Sequence, residues 1–199
     1  MERQRTQRSL DAAQDLARAA LVAKAASAAS LAHQGDTEED GGAYENHLCR
    51  VADRLADAGF GVEDQAAAWL HDAVEDTDMT LGQVRHQFGK AVADRVDGAT
   101  RRSGNGHKET YVTEFVVRAA RSPGLSVKMS DVLDHLRPGQ EAWLAEHPGM
   151  DRRYCRALVI LRDEMVKAAH RGEVRLEPAR LFILQAEETL GRFPDLGLI

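Results

Sequence analysis

The sequence predicts an all-α protein, and three observations lead to that class. Apolar residues recur at helical spacing along the 199-residue chain, while no segment shows the sustained apolar–polar alternation typical of strands. Residues 10–34 contain neither Gly nor Pro and consist largely of Ala and Leu, which are the strongest helix formers. We therefore expect a single compact domain over residues 1–199, built as a bundle of about eight to ten helices.

The predicted helices follow one another with short loops between them. They cover residues 10–34, 44–59, 63–75, 80–89, 90–100, 109–121, 125–136, 150–170 and 177–190. Gly and Pro mark many boundaries, as Pro138-Gly139 does after the seventh helix, and Thr80 with Gln83 forms a capping-box pattern at the fourth. We expect residues 150–199 to complete the core, although their apolar residues could equally form the face of a homodimer.

The composition excludes several classes of function. The net charge of −6 and the lack of a broad basic stripe argue against a nucleic-acid polymer as partner. No apolar run approaches the roughly 20 residues of a membrane span, and the N-terminal residues lack the apolar core of a secretion signal. Cys49 and Cys155 make neither a disulfide framework nor a zinc spacing, so we interpret them as reduced thiols. These features predict a cytoplasmic protein without a membrane partner.

Four candidate metal ligands fall on three of the predicted helices: His47, His71, Asp72 and Asp131. Two His and two Asp suit a divalent metal of intermediate hardness, such as Mn, Fe, Co or Zn. Lys128, Asp131 and His135 are spaced so that they share one face of a later helix. An inward-facing His is nevertheless more often a hydrogen-bonded core residue than a ligand. The residues alone leave both interpretations open.

Short motifs in a fixed order decide between these interpretations. The chain contains LAHQG at 31–35, YENH at 44–47, LHDAVEDTDMT at 70–80, FGKAVADRVDGATR at 88–101, ETYVTEF at 109–115 and VKMSD at 127–131. In this order they resemble the HD-domain phosphohydrolases, and among these the hydrolase domain of RelA/SpoT-type alarmone enzymes and their small stand-alone relatives. The resemblance covers about residues 15–137.

The resemblance implies a metal-dependent phosphohydrolase and assigns roles to residues. His47, His71, Asp72 and Asp131 match the family's metal ligands. The metal is typically Mn²⁺, with Fe, Co, Zn or Mg as alternatives. Glu75 and Asp76 match the acidic pair that orients or deprotonates the attacking water beside the metal. The residues with a predicted substrate contact are Lys128, His33, Arg101, Arg102 and His135. For Lys128, a salt bridge to a neighbouring acid is an equal alternative.

Departures from the family pattern concern the substrate. Gapless alignment places Glu38 and Glu39 where the family usually carries Arg-Lys, and Val132 and His135 where it carries Arg and Asn. We expect the acidic loop to repel a polyanionic nucleotide. A small phosphorylated nucleotide is still the expected substrate, and hydrolysis of the 3′-pyrophosphate of (p)ppGpp is the specific hypothesis. The alternatives are a phosphomonoesterase of different specificity and a catalytically silent module that binds a nucleotide or a partner.

Overall fold

The computed structural model describes residues 1–38, 41–101 and 110–196, with only the backbone for residues 2, 3 and 5. These residues form helices and no strand, apart from one isolated bridge between Thr37 and Ala43. The predicted all-α class is confirmed. The α-helices are α1 (Glu2–Ala32), α2 (Glu45–Asp57), α3 (Val62–Leu70), α4 (Ala73–Asp76), α5 (Leu81–Phe88), α6 (Lys90–Ala99), α7 (Val117–Ala120), α8 (Leu125–His135), α9 (Glu141–Glu146), α10 (Met150–His170) and α11 (Leu176–Gly191).

Helix α8 lies at the centre of the bundle. Every residue from 125 to 134 is buried, and the helix packs against α2, α3, α6, α10 and α11. Polar contacts fix its position relative to α2, since the Ser130 hydroxyl donates to the Val51 carbonyl and Arg54 donates to the Ser130 carbonyl. A polar side chain on this helix is therefore placed in the interior of the protein.

A close backbone approach sets α8 against α6. A Cβ atom at Gly98 would lie 2.8 Å from the amide nitrogen of Gly124, and one at Gly124 would lie 2.6 Å from the amide nitrogen of Ala99. Real Cβ atoms do not approach backbone so closely, so both positions require glycine. The glycine of the VDGAT segment thus lets the end of α6 touch the start of α8.

The structure differs from the predicted helices at three places. The first helix begins at Glu2, eight residues before the predicted start. Residues 141–146 form a short helix that was not predicted, because Gly and Pro on both sides suggested a loop. The predicted helix 109–121 begins as a π-helix over Tyr111–Val116, and its residue 109 lies outside the described residues.

The predicted helix over 63–75 is interrupted at its most informative point. Helix α3 ends at Leu70 and α4 begins at Ala73, so His71 and Asp72 occupy the turn between them. The ring of His71 donates from Nδ1 to the Ala68 carbonyl at 2.7 Å, which satisfies a carbonyl at the end of α3. The break aims the two side chains towards α2 and α8.

Candidate metal centre

The structure brings the four predicted ligands together, and we call them the ligand cluster: His47, His71, Asp72 and Asp131. The Nε2 atom of His47 lies 3.4 Å from Oδ1 of Asp131 and 3.7 Å from Oδ2 of Asp72. The Nε2 atom of His71 lies 3.0 Å from the same Asp72 oxygen and 3.7 Å from the same Asp131 oxygen. Donor atoms on one ion with bonds near 2.1 Å are separated by roughly 3 to 3.5 Å. The spacing of the cluster is that of metal ligands.

Both imidazoles are oriented by a hydrogen bond from the opposite ring nitrogen. Nδ1 of His47 donates to Oδ2 of Asp134 at 2.9 Å, and Nδ1 of His71 donates to the Ala68 carbonyl. Each Nε2 is then buried and makes no well-directed hydrogen bond, although carboxylate oxygens surround it. This arrangement fixes the tautomer that leaves an Nε2 lone pair for a metal.

The charges of the cluster also fit a cation. Burial lowers the pKa of His47, but its contacts with the carboxylates of Asp131 and Asp134 outweigh burial and raise this pKa to about 9. Burial likewise opposes protonation of His71, yet the charges of Asp72 and Asp131 raise its pKa well above the ordinary value. In the metal-free protein, the protonated imidazoles balance the negative charge of the carboxylates. A divalent cation would displace these protons and balance the charge instead. The donor set therefore fits a divalent metal.

Two further side chains orient the carboxylates of the cluster. The Tyr44 hydroxyl donates to Oδ2 of Asp72 at 2.6 Å, and Lys128 donates to Oδ2 of Asp131 at 2.6 Å. Lys128 is buried, with its ammonium group above the Phe115 ring. The structure thus places Lys128 in the salt bridge that was the alternative to a phosphate contact. The sequence analysis assigned no role to Tyr44, although its position three residues before His47 in YENH was a usable signal.

The two predicted acids of the water site have different surroundings. Glu75 accepts a hydrogen bond from the backbone amide of Arg101 and forms an ion pair with its guanidinium, both at 2.8 Å. The backbone amide of Asp76 donates to the Asp72 carbonyl, whereas its carboxylate has no hydrogen-bond or ion-pair partner within the described ranges. Partial burial and the charges of Asp72 and Glu75 raise the pKa of Asp76 to about 6. Asp76 is therefore the acid suited to exchange a proton near neutral pH.

For Glu38, one of the two acids of the loop that was expected to repel the substrate, the structure corrects the expectation. The side chain of Glu38 is buried and forms ion pairs with Arg50 at 2.5 Å and with Arg137 at 3.3 Å. Both arginines also bind Asp134, the carboxylate that orients His47. Neighbouring cations thus neutralise Glu38, because the chain folds it inward. Glu39, Arg102 and Lys108 lie outside the described residues.

The predicted substrate residues His33 and His135 lie beside the cluster on opposite sides. The His33 ring stacks on Tyr44 with ring centroids 4.8 Å apart, and its Nδ1 lies 3.0 Å from Asp36. Its Nε2 is buried without a hydrogen-bond partner among the described residues. His135 stacks on Tyr154 with centroids 4.5 Å apart, and its Nε2 lies 3.2 Å from Oδ1 of Asp131.

A cavity of about 1080 Å³ opens elsewhere in the molecule. It is lined by parts of α3, α8, α10 and α11, and by none of the four ligands. Acids and arginines of its wall pair with each other, as Asp64 does with Arg95 at 3.1 Å. The candidate centre is therefore separate from this cavity.

Comparison with known proteins identifies the class. Residues 25–120 match the family described as the HD domain. This stretch contains three of the four ligands, and Asp131 follows it on α8. The match over residues 25–120 confirms the resemblance to the HD domain that was found in the motifs.

Three of the curated relatives are RelA/SpoT-type proteins of bacteria. The chain is 32% identical over 109 residues to the guanosine-3′,5′-bis(diphosphate) 3′-pyrophosphohydrolase of Aquifex aeolicus, covering 53% of this chain and 16% of the relative. It is 40% identical over 70 residues to the bifunctional (p)ppGpp synthase/hydrolase SpoT of Escherichia coli, covering 35% and 10%. It is 32% identical over 122 residues to a probable GTP pyrophosphokinase of Mycobacterium leprae, covering 59% and 16%. The chain thus spans 10 to 16% of the length of these relatives.

A solved structure has the same fold over almost its whole length. It is a metazoan ortholog of SpoT that hydrolyses ppGpp, and it matches with a TM-score of 0.69 at 24% identity, over 90% of this chain and 97% of that chain. A likeness over 90% of the chain extends well beyond residues 25–120, the stretch that matches the HD domain. No described helix combines the length and apolar composition needed to cross a membrane.

Proposed function

We propose that this chain is a metal-dependent phosphohydrolase that acts on a phosphorylated nucleotide. The observation that carries the proposal is the ligand cluster, where two buried imidazole nitrogens without hydrogen bonds face two carboxylate oxygens at metal-ligand spacing. Asp76 supplies an acid next to the cluster whose pKa is raised towards neutrality. A relative named for hydrolysis of guanosine 3′,5′-bis(diphosphate) supports a nucleotide as the substrate class.

The residues divide the chemistry among them. A cation held by the ligand cluster, with Mn²⁺ as the first candidate, would lower the pKa of a bound water and neutralise charge on a phosphoryl oxygen. Asp76 accepts the proton of the attacking water, because the pKa of its carboxyl group is raised to about 6 and its carboxylate has no competing partner among the described residues. Glu75 fixes Arg101 beside this acid, and the exposed guanidinium of Arg101 can meet a phosphate.

Within this class, hydrolysis of the 3′-pyrophosphate of (p)ppGpp is the specific hypothesis. The replacement of the family's Arg and Asn by Val132 and His135 favours a substrate with different contacts, so a nucleotide phosphomonoesterase is the second candidate. The structure weakens one objection to a highly charged substrate, since Glu38 is paired with arginines. A cytoplasmic location remains a prediction.

The test is a substrate panel with confirmed metal loading. Mn²⁺-loaded wild type is incubated with ppGpp, pppGpp, and nucleoside 3′- and 5′-monophosphates, and the released phosphate and pyrophosphate are measured separately. We expect turnover of at least one nucleotide by the wild type and by His86→Ala, an exposed histidine of α5, and loss of turnover in Asp131→Ala.

The products separate the two candidates. Pyrophosphate from ppGpp supports the 3′-pyrophosphohydrolase, whereas phosphate from a monophosphate supports the phosphomonoesterase. If the metal-loaded wild type turns over no member of the panel, the proposal fails and a silent binding module is favoured. Equal turnover by wild type and Asp131→Ala would contradict the role of the ligand cluster.

A further inference from the structure

His135 extends the row of metal-binding groups on α8. It lies four residues after Asp131, so the helix presents both side chains on one face. The Nε2 atom of His135 is 3.2 Å from Oδ1 of Asp131, the same oxygen that lies 3.4 Å from Nε2 of His47. Ligand atoms of these three residues lie within 4.8 Å of one another. His71 and Asp72 form a second such group with His47, so the two groups share His47.

Packing holds the His135 ring in the orientation that coordination needs. One face lies nearly parallel to the Tyr154 ring, at 6° and 4.5 Å between centroids. The His47 ring lies 5.3 Å away on the cluster side. Such support fixes a ligand before the metal arrives, so binding requires little rearrangement. The side chain is 24% exposed, which places it at the edge of the cluster that solvent reaches.

A hydrogen bond from His135 to Asp131 is the competing interpretation. Oδ2 of Asp131 already accepts a hydrogen bond from Lys128, and Oδ1 is the oxygen that faces the imidazoles of His47 and His71. Once Oδ1 binds a cation, a proton on Nε2 of His135 would be repelled by that cation, whereas a lone pair would be attracted to it. The charge of the metal therefore favours coordination over the hydrogen bond.

We propose that His135 is a further ligand of this metal, bound through Nε2. The inference rests on the metal site of the proposed function. With His135, the ligand set of that site consists of three imidazole nitrogens and two carboxylate oxygens. Imidazole suits Co and Zn, whereas a set richer in oxygen suits Mn and Mg. His135 thus shifts the preference of the site from Mn²⁺ towards Co²⁺ and Zn²⁺.

Co²⁺ binding tests this proposal without reference to turnover. In the Co²⁺-loaded wild type, proton NMR resolves one strongly shifted, exchangeable ring N–H signal for each coordinated imidazole. We expect three such signals in the wild type and in His86→Asn, and two in His135→Asn. Chelator competition should show that His135→Asn lowers the affinity for Co²⁺ and Zn²⁺ by about 10-fold or more and the affinity for Mn²⁺ by less.

The outcomes separate this inference from the proposed function. Two N–H signals in the wild type, or an unchanged ratio of Co²⁺ to Mn²⁺ affinity in His135→Asn, would overturn the role of His135 and leave the four-ligand site intact. Failure of the wild type to bind any of these metals would overturn the site itself. The signal count in the wild type needs no variant, so it decides the question even if His135→Asn does not fold.

Discussion

The ligand cluster and the surface around it are built in opposite ways. In the cluster, nitrogen and oxygen atoms converge on one point, and the two Nε2 atoms have no hydrogen-bond partner. Around it lies a ring of charged residues that we call the rim: Glu38, Arg50, Arg101, Asp134 and Arg137. In the rim, opposite charges pair with each other or with Glu75 at distances of 2.5 to 3.3 Å.

The difference shows which part of the site is kept ready for a ligand. The Nε2 atoms of His47 and His71 have no hydrogen-bond partner, so a bound cation would stabilise the cluster. In the described rim, acids of the protein neutralise the three arginines. A phosphate therefore meets less positive charge there than three free arginines would provide. The cluster is thus open to a cation, whereas the charged groups of the rim are already paired within the protein. The predictions below test the two parts separately, from the largest effect to the smallest.

Replacement of the acid beside the cluster should affect catalysis and spare the metal. We expect Asp76→Asn to lower kcat by about 100-fold or more, because the amide cannot accept the proton of the attacking water. Metal content should remain that of the wild type, since Asp76 is not a ligand. Steady-state kinetics on whichever nucleotide the panel identifies provides the measurement. A kcat close to the wild-type value would show that another group is the base.

Removal of the central cation of the rim should affect stability. Arg50→Ala leaves the buried acids Glu38 and Asp134 with fewer partners, so we expect a loss of about 3 kcal/mol in the free energy of unfolding. Urea denaturation of the metal-free protein measures it. Lys90→Ala, which removes an exposed partner of Asp94, is the matched control and should cost less than about 1 kcal/mol. Equal losses in the two variants would show that the rim is no more than surface charge.

Loss of the Tyr44 hydroxyl should lower the metal affinity of the cluster by a small factor. Tyr44→Phe removes the hydrogen bond to Oδ2 of Asp72 and keeps the ring that stacks on His33. We expect the affinity for the metal to fall about 10-fold, because an oriented carboxylate is a better ligand. Chelator competition measures the change, and an unchanged dissociation constant would exclude this role of Tyr44.

Metal affinity should rise with pH. The pKa of His47 is raised to about 9 in the metal-free protein, so both of its ring nitrogens carry a proton at pH 7. The metal must displace the proton on Nε2. We expect affinity to increase by about tenfold per pH unit for each proton released, up to about pH 9. Titration calorimetry in buffers of different ionisation enthalpy counts these protons. An affinity independent of pH would contradict the protonated state of the cluster.

The sequence was sufficient to predict that the four side chains of the ligand cluster lie together, whereas their role as metal ligands stays a prediction. Metal ligands must be specific residue types in a fixed order, and helical spacing places them on inward faces, so His47 and Asp131 could be named from motifs alone. The all-α class followed equally from local patterns. The break at His71 and Asp72 was not predicted, because it depends on a side-chain hydrogen bond to the Ala68 carbonyl rather than on Gly or Pro.

The rim could not be predicted, because its contacts join residues far apart in the chain. Glu38 was interpreted as part of an acidic loop that repels the substrate, since no sequence pattern near it indicates a contact with Arg137, which lies 99 positions later. The role of Asp134 in orienting His47 depends in the same way on how α8 packs against α2. Pairing across a bundle is set by tertiary packing, and one sequence does not reveal it.

The metal content of the purified protein tests the central claim most directly. Wild type and Asp72→Asn are loaded with Mn²⁺ under identical conditions, freed of unbound metal, and analysed by elemental mass spectrometry, with circular dichroism to confirm that both are folded. The ligand cluster predicts about one tightly bound equivalent in the wild type and a large loss in the variant, because a buried ligand is removed. Equal metal in the two proteins would contradict the assignment of the site.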